Sequence, residues 1–238
     1  PNGRLRGVQF SQERGFRTRS FWVSLSNPEG DTAIYYTLDG STPTESSSRY
    51  TQPISVSGTT VLRAVAFKEN YLPSQVKSRS WIFISDVLKQ DTMRRTIVND
   101  PLYRQRIIDG LKDIPTLSLV TDSSNLYGST GIFDNYSQSG EAWERPVSVE
   151  LIDPKGGEEF DIYAGLRIRG AVGRSAPKKS LRLLFGTSYE GNLLFPLFGD
   201  EGVSEFSKVD LRAEQNNSWS SNVDAPWQNT FAREVFSR

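Results

Sequence analysis

The 238-residue sequence contains no cysteine, no histidine and a single methionine. Without Cys there is no disulfide, no thiolate zinc site and no thiol nucleophile; without His there is no imidazole general base. A metal bound here would need oxygen ligands, which favours Mg²⁺, Ca²⁺ or Mn²⁺. Net charge is missing too. The 28 Lys and Arg balance 28 Asp and Glu, so no overall field draws in nucleic acid or an anionic membrane, and no nucleic-acid partner is expected. No apolar run approaches the ~20 residues that a membrane-spanning helix needs; the longest, residues 81–84 and 116–120, are strand-sized. There is no initiator Met and no signal peptide, and residues 229–238 read as a helix cut off partway. The sequence is therefore expected to be a piece of a longer protein. A cysteine-free chain suits the cytosol and a bacterial exterior alike.

What is present is apolar and aromatic. Five Trp, nine Tyr and thirteen Phe stand within a 36% hydrophobic composition, enough for real cores. From Phe21 to Phe83 the period is two. Phe21, Val23 and Leu25 alternate with Trp22 and Ser24, and Ile34, Tyr36 and Leu38 alternate with Tyr35 and Thr37, as half-buried strands require. Asn27-Pro28-Glu29-Gly30 and Asp39-Gly40-Ser41-Thr42-Pro43 supply turns. Further strands are predicted at 54–56, 61–67 and 79–84, and short strands at this spacing describe a β-sandwich. Between Asp86 and Lys112 the pattern turns helical. Leu102, Ile107, Ile108 and Leu111 share one face, and Asp100-Pro101 supplies an N-cap with Pro at N1. The arginines of this stretch read as a solvated face, with phosphate or partner docking as the alternative. From Ile114 onward β-structure returns at 116–120, 147–152, 164–169, 180–185 and 208–212, with a late helix from Phe231, which suggests α+β.

The most informative stretch is Gly165-Leu166-Arg167-Ile168-Arg169-Gly170-Ala171-Val172-Gly173-Arg174-Ser175-Ala176-Pro177-Lys178-Lys179-Ser180-Leu181-Arg182-Leu183. A strand enters a loop bearing Gly170 and Gly173, and a second strand leaves through Lys178, Lys179 and Ser180. Glycines let backbone N–H groups crowd an anion, and Arg167, Arg169, Arg174, Lys178 and Lys179 add donors suited to phosphate oxygens. It is no Walker A loop, because Ala171 stands where Lys must follow Gly170, and no Rossmann fingerprint, because the glycine spacing fails. An ordinary basic hairpin is the plain alternative. Elsewhere, Glu141, Glu144 and Glu150 invite comparison with paired glycosidase carboxylates. Against this, Glu144-Arg145-Pro146 reads as a structural ion pair where a strand begins, and Glu150 has the parity of a strand face. Asp39 reads as a turn residue rather than a Ca²⁺ ligand. Trp22, Tyr35 and Tyr50 read as core or rim packing rather than sugar platforms.

Two resemblances follow. The stretch Tyr35-Tyr36-Thr37-Leu38-Asp39-Gly40-Ser41-Thr42-Pro43-Thr44, then Tyr50-Thr51-Gln52-Pro53-Ile54 and Thr59-Thr60-Val61-Leu62-Arg63-Ala64-Val65-Ala66-Phe67, resembles the chitobiase/β-hexosaminidase C-terminal-type domain over about residues 8–84. That implies a fibronectin-like sandwich of the kind appended to secreted enzymes as a spacer or docking module. From roughly Asp113, the segments Ile114-Pro115-Thr116-Leu117, Asn125-Leu126-Tyr127-Gly128, Gly131-Ile132-Phe133, Gly140-Glu141-Ala142-Trp143-Glu144-Arg145-Pro146-Val147, the basic loop, Leu194-Phe195-Pro196-Leu197-Phe198, Val209-Asp210-Leu211-Arg212 and the helix from Phe231 occur in the order seen in CotH-type spore-coat kinases.

The second resemblance implies the N-terminal lobe of an atypical protein-kinase-like domain that uses ATP and Mg²⁺ to phosphorylate Ser or Thr of a protein substrate. It assigns the nucleotide-covering role to Arg167, Arg169, Gly170, Gly173, Arg174, Ser175, Lys178 and Lys179, with Lys178 or Lys179 as the nucleotide-contacting lysine. The catalytic and metal-binding acids are expected downstream of Arg238. Two departures stand out: Arg233-Glu234 where the family shows Arg-Asp, and Ala171-Val172-Gly173 where it shows small polar residues. The domains expected are a β-sandwich at 1–84, a helical linker at 85–112 and the partial kinase domain at 113–238, extracytoplasmic or at the cell surface. The alternatives are a non-catalytic cell-surface or polysaccharide-associated structural protein and a glycosidase accessory fragment.

Overall fold

A computed structural model describes residues 2–213 apart from Thr92. The late helix expected from Phe231, with Trp219, Trp227 and the Arg233-Glu234 pair, lies outside these residues. The described chain is mainly β and forms two compact units, one of residues 1–122 and 148–161, the other of residues 123–147 and 162 onward. No helix among the described residues is long and apolar enough to cross a membrane.

The first unit opens with β1 (Gln9–Phe10), β2 (Gly15–Arg17), β3 (Phe21–Val23), β4 (Leu25–Ser26), β5 (Ala33–Thr37), β6 (Ser48–Arg49), β7 (Ile54–Val56), β8 (Thr60–Phe67) and β9 (Lys77–Phe83). A five-stranded sheet runs β2-β9-β8-β5-β6, and β1-β4 and β3-β7 form two-stranded ladders. β2 pairs parallel with β9, setting Gly15 opposite Trp81 and Arg17 opposite Phe83. The sheet and the ladders share one core, in which Val23, Leu25, Ile54 and Val56 meet Ile34, Leu62, Ala64, Ala66, Trp81 and Phe83. This is the packing a β-sandwich requires. The alternation read in the sequence is the cause. Val23 and Leu25 are buried while Trp22, just before them, stays 64% exposed and Ser24 between them is exposed. Leu38 departs from its expected parity, because β5 ends at Thr37 and the chain has already turned outward.

Three helices follow: α1 (Ile84–Val87), α2 (Arg95–Val98) and α3 (Pro101–Leu111). Asp100 caps α3, its side chain accepting from the amides of Leu102 and Tyr103 at 2.9 and 3.1 Å, with Pro101 in the first turn. Ile107, Ile108 and Leu111 pack against Ile84, Leu88 and Val98. Leu102 does not join them and remains 58% exposed. The unit is completed by β10 (Thr116–Val120), which pairs antiparallel with β11 (Arg145–Ile152) so that Ser118 faces Glu150.

The second unit holds α4 (Ser123–Leu126), the larger part of β12 (Phe160–Ile168), β13 (Leu181–Leu184), β14 (Leu193–Leu194), β15 (Glu205–Phe206) and β16 (Lys208–Leu211). Strands β12, β13 and β16 lie in antiparallel succession, with Arg167 opposite Arg182 and Arg182 opposite Asp210. Leu166, Ile168 and Leu183 are buried. The adjacent positions on these strands carry the charged residues, as a period of two demands.

Candidate functional site

The basic loop joins β12 to β13. The amide of Arg169 donates to the carbonyl of Ser180 at 2.8 Å, which carries the ladder one residue beyond the strand ends. The chain then turns at Gly170, whose φ of 109° is a conformation that side-chain-bearing residues rarely adopt, and passes through a single 3-10 turn over Val172–Ser175. Gly173 lies inside that turn and needs no positive φ.

Most of the cations in this loop are spoken for. Arg174 donates Nε to the carbonyl of Tyr136 and Nη1 to that of Ile168, both at 2.6 Å, and Nη2 to the carbonyl of Gln138. Lys179 Nζ donates back into its own loop, to the carbonyls of Arg174 at 2.8 Å and Ala176 at 3.2 Å. The same ammonium stands 4.7 Å from the centre of the Tyr136 ring and 6.0 Å from that of Phe133, a cation–π geometry. Arg169 Nε reaches Asp210 Oδ2 at 2.6 Å, and Arg182 takes the same carboxylate through Nε at 2.6 Å and Nη2 at 2.9 Å. The hydrogen bonds from Arg182, and then those from Arg169, hold the Asp210 carboxyl below the usual range. Ser175 and Lys178 are exposed.

Arg167 belongs to a third group. Its Nε and Nη2 reach Glu144 Oε2 at 2.7 and 2.5 Å, and the other oxygen of Glu144 accepts from the Tyr189 hydroxyl. Burial first, and then this bond to a carboxylate, raise the Tyr189 hydroxyl well above its ordinary value. Gly165 lies against the pair, and a β-carbon there would run into the Glu144 carboxylate and stand 2.6 Å from the Tyr189 oxygen. Glu144 thus finds its cation on β12 and not in Arg145, the neighbour that the sequence suggested. Arg145 instead ties down the preceding segment through the carbonyls of Thr130 and Ala142. The structure therefore brings Arg167, Arg169, Arg174 and Lys179 to one hairpin, but with partners of their own.

The other residues weighed in the sequence fall into place more simply. Asp39 accepts from the amide and hydroxyl of Ser41 at 3.0 and 2.6 Å, as a turn residue does. Tyr35 packs edge-on against Phe67, and Tyr50 packs on the sandwich core. Among the described residues no cluster of three or more acidic side chains is placed to hold a metal ion.

A second polar constellation, in the first unit, escaped sequence reasoning. Glu150 is fully buried. It accepts from Ser80 Oγ at 2.5 Å and from Arg14 Nε at 3.2 Å. Arg14, itself 8% exposed, also donates to Asp161 at 2.6 Å, and Arg79 stands 3.3 Å from the other oxygen of Asp161. Burial pushes the Glu150 carboxyl up despite Ser80, Arg14 and Arg79. Burial acts in the same direction on Asp161, but Arg79, Arg14 and Lys77 outweigh it and the carboxyl is held low. The only sequence signal was Glu150 amid Val147, Val149, Leu151 and Ile152, a lone acid in an apolar run with nothing local to pair it.

No curated protein and no solved structure matches the chain significantly. The family comparison ends at residue 78, so everything from Asp113 onward lies outside it: residues 13–78 match the chitobiase/beta-hexosaminidase C-terminal domain.

Proposed function

We propose that this chain carries the nucleotide-covering strands of an ATP-dependent Ser/Thr protein kinase of the CotH type, set behind a chitobiase C-terminal-type sandwich in an extracytoplasmic or surface-located bacterial protein. The observation that carries the reading is the shape of the loop at residues 170–179. It is a glycine-turned excursion between adjacent antiparallel strands, braced from within by Arg174 and Lys179. Phosphoryl transfer requires little covalent chemistry of the protein; it requires polyphosphate held still and its charge offset. A loop whose backbone is fixed by its own cations meets the first need.

The internal pairs also divide the work. Arg167 and Arg169 spend their charge on Glu144 and Asp210, and Arg174 and Lys179 on carbonyls. The backbone around Gly170 and the side chain of Lys178 are the groups assigned to the phosphate oxygens, while Lys179, bonded to the carbonyls of Arg174 and Ala176, acts as a positioning residue. Mg²⁺ bound with ATP would offset phosphate charge, and its protein ligands lie beyond the acidic side chains described. The acceptor is a Ser or Thr hydroxyl of a protein substrate. A full-length protein incubated with labelled ATP, Mg²⁺ and a Ser-rich protein acceptor tests this. Lys178→Ala should lower turnover by about 10²-fold, the scale of losing one charge-stabilising donor. Lys179→Ala should lower turnover and thermal stability together. Wild-type turnover in both variants overturns the lysine assignment.

A second reading, a non-catalytic surface protein, is favoured by those same internal pairs, which leave the hairpin complete without a ligand. Absence of both ATP binding and transfer in the full-length protein would select it.

A further inference from the structure

We infer that the cleft above the Arg14–Glu150–Asp161 cluster in the first unit is a binding site for a neutral oligosaccharide. The cleft encloses about 700 Å³ and stands apart from the nucleotide reading, whose residues it does not share. Three arginines, Arg14, Arg17 and Arg79, line it with four carboxylates, Glu13, Asp153, Glu159 and Asp161. Arg17 donates to the carbonyls of Phe16 and Glu13 and lies over the Phe21 ring, and the other two arginines are held by carboxylates. Asp161 lies between Arg14 at 2.6 Å and Arg79 at 3.3 Å, and Arg14 also stands 3.7 Å from Glu159. An anionic ligand therefore meets more carboxylates than arginines here, and binding it would require breaking a partly buried pair.

A sugar hydroxyl has the opposite character. It donates and accepts at once, so it can bridge a carboxylate oxygen and a guanidinium N–H without disturbing either pair. Arg79, one of the lining residues, has one donor without a partner. Arg79 Nε is buried and lacks a hydrogen-bond partner, the nearest carboxylate being Glu13 at 3.9 Å.

The shape agrees with the chemistry. Gly15, Gly156 and Gly157 bring bare backbone to the wall. A second cleft of about 440 Å³ adjoins the first and shares Phe16, Arg17 and Pro154 with it. The half-buried Phe16, which also packs on the Ile84, Leu88 and Val98 core, lines both, and Phe21, with Arg17 over its ring, lines the second. Aromatic rings beside planar polar side chains suit the alternating C–H and O–H faces of a pyranose. Two clefts that share a wall suit several linked rings rather than one.

Calorimetric titration of the full 238-residue chain with hexasaccharides of N-acetylglucosamine, glucose and mannose, and with an oligogalacturonate as the anionic comparison, tests the inference. At least one neutral hexasaccharide should bind, with an affinity that changes less than about threefold when salt is raised tenfold, since no screened charge pair forms. Phe16→Leu keeps the apolar packing and removes the ring, and Asp161→Asn keeps the shape and removes the carboxylate. Each should weaken binding about tenfold, or 1.4 kcal/mol, with an unchanged circular dichroism spectrum. The inference is overturned if no neutral sugar binds, if only the oligogalacturonate binds, or if both variants, folded as the wild type, bind equally well.

Discussion

Glu150 is a fully buried acid whose environment ties the molecule's stability to pH. Its carboxyl is raised by burial, so on acidification the folded form takes up its proton before the unfolded form does. A group with a raised folded value contributes stability that is complete below the ordinary carboxylate range and is lost as pH rises through the raised value. Glu150→Gln, neutral at all pH, should therefore gain stability relative to wild type between mildly acidic and neutral pH. Urea denaturation on both sides of that window would read the crossing, and a constant difference would contradict it. Asp210 behaves oppositely. Arg182 and Arg169 hold it low, so its contribution is present above the ordinary aspartate value and fades as pH falls through the lowered one. Asp210→Asn should cost about 1 kcal/mol at neutral pH, the scale of partly exposed pairs, and nothing in strong acid. Gly165→Ala should cost about 1–3 kcal/mol by overpacking against Glu144 and Tyr189, measurable as a lowered denaturation midpoint with unchanged slope.

Among elements, α3 offers the cleanest test, because its start rests on a single side chain. Asp100→Ala removes the acceptor for two amides and should cost about 1 kcal/mol, with a matching loss of amide-exchange protection at Leu102 and Tyr103. This cap, the strand at 116–120 and the buried alternation of Val23 and Leu25 were legible in the sequence because each is set by neighbours a few residues away. The parallel strand β2 was not legible. Its partner Trp81 lies far along the chain, and three residues carry too short a pattern to register. The partners of the basic hairpin were hidden for the same reason. Arg167, Arg169, Arg174 and Lys179 announce their charge in the sequence, but Glu144, Asp210 and the carbonyls of Tyr136 and Gln138 become their partners only once the strands are paired.

Across the whole molecule, the sequence located the two regions of interest unequally well. The sandwich was readable from turns and alternation, and residues 13–78 match a known domain family. The Arg14–Asp161 contact, which spans 147 positions, could not have been foreseen from any local pattern, and the groove beside it came into view only with the fold. For the hairpin, the account turns on whether the backbone at Gly170 and the Lys178 side chain receive polyphosphate. Titrating the isotopically labelled full-length protein with Mg·ATP, and following the amide resonances of residues 169–180, tests that directly. The account predicts saturable shifts confined to this loop and its flanking strand ends, abolished or shifted to about 10²-fold higher ATP by Lys178→Ala. Resonances that never move, or shifts that survive Lys178→Ala unchanged, would contradict it.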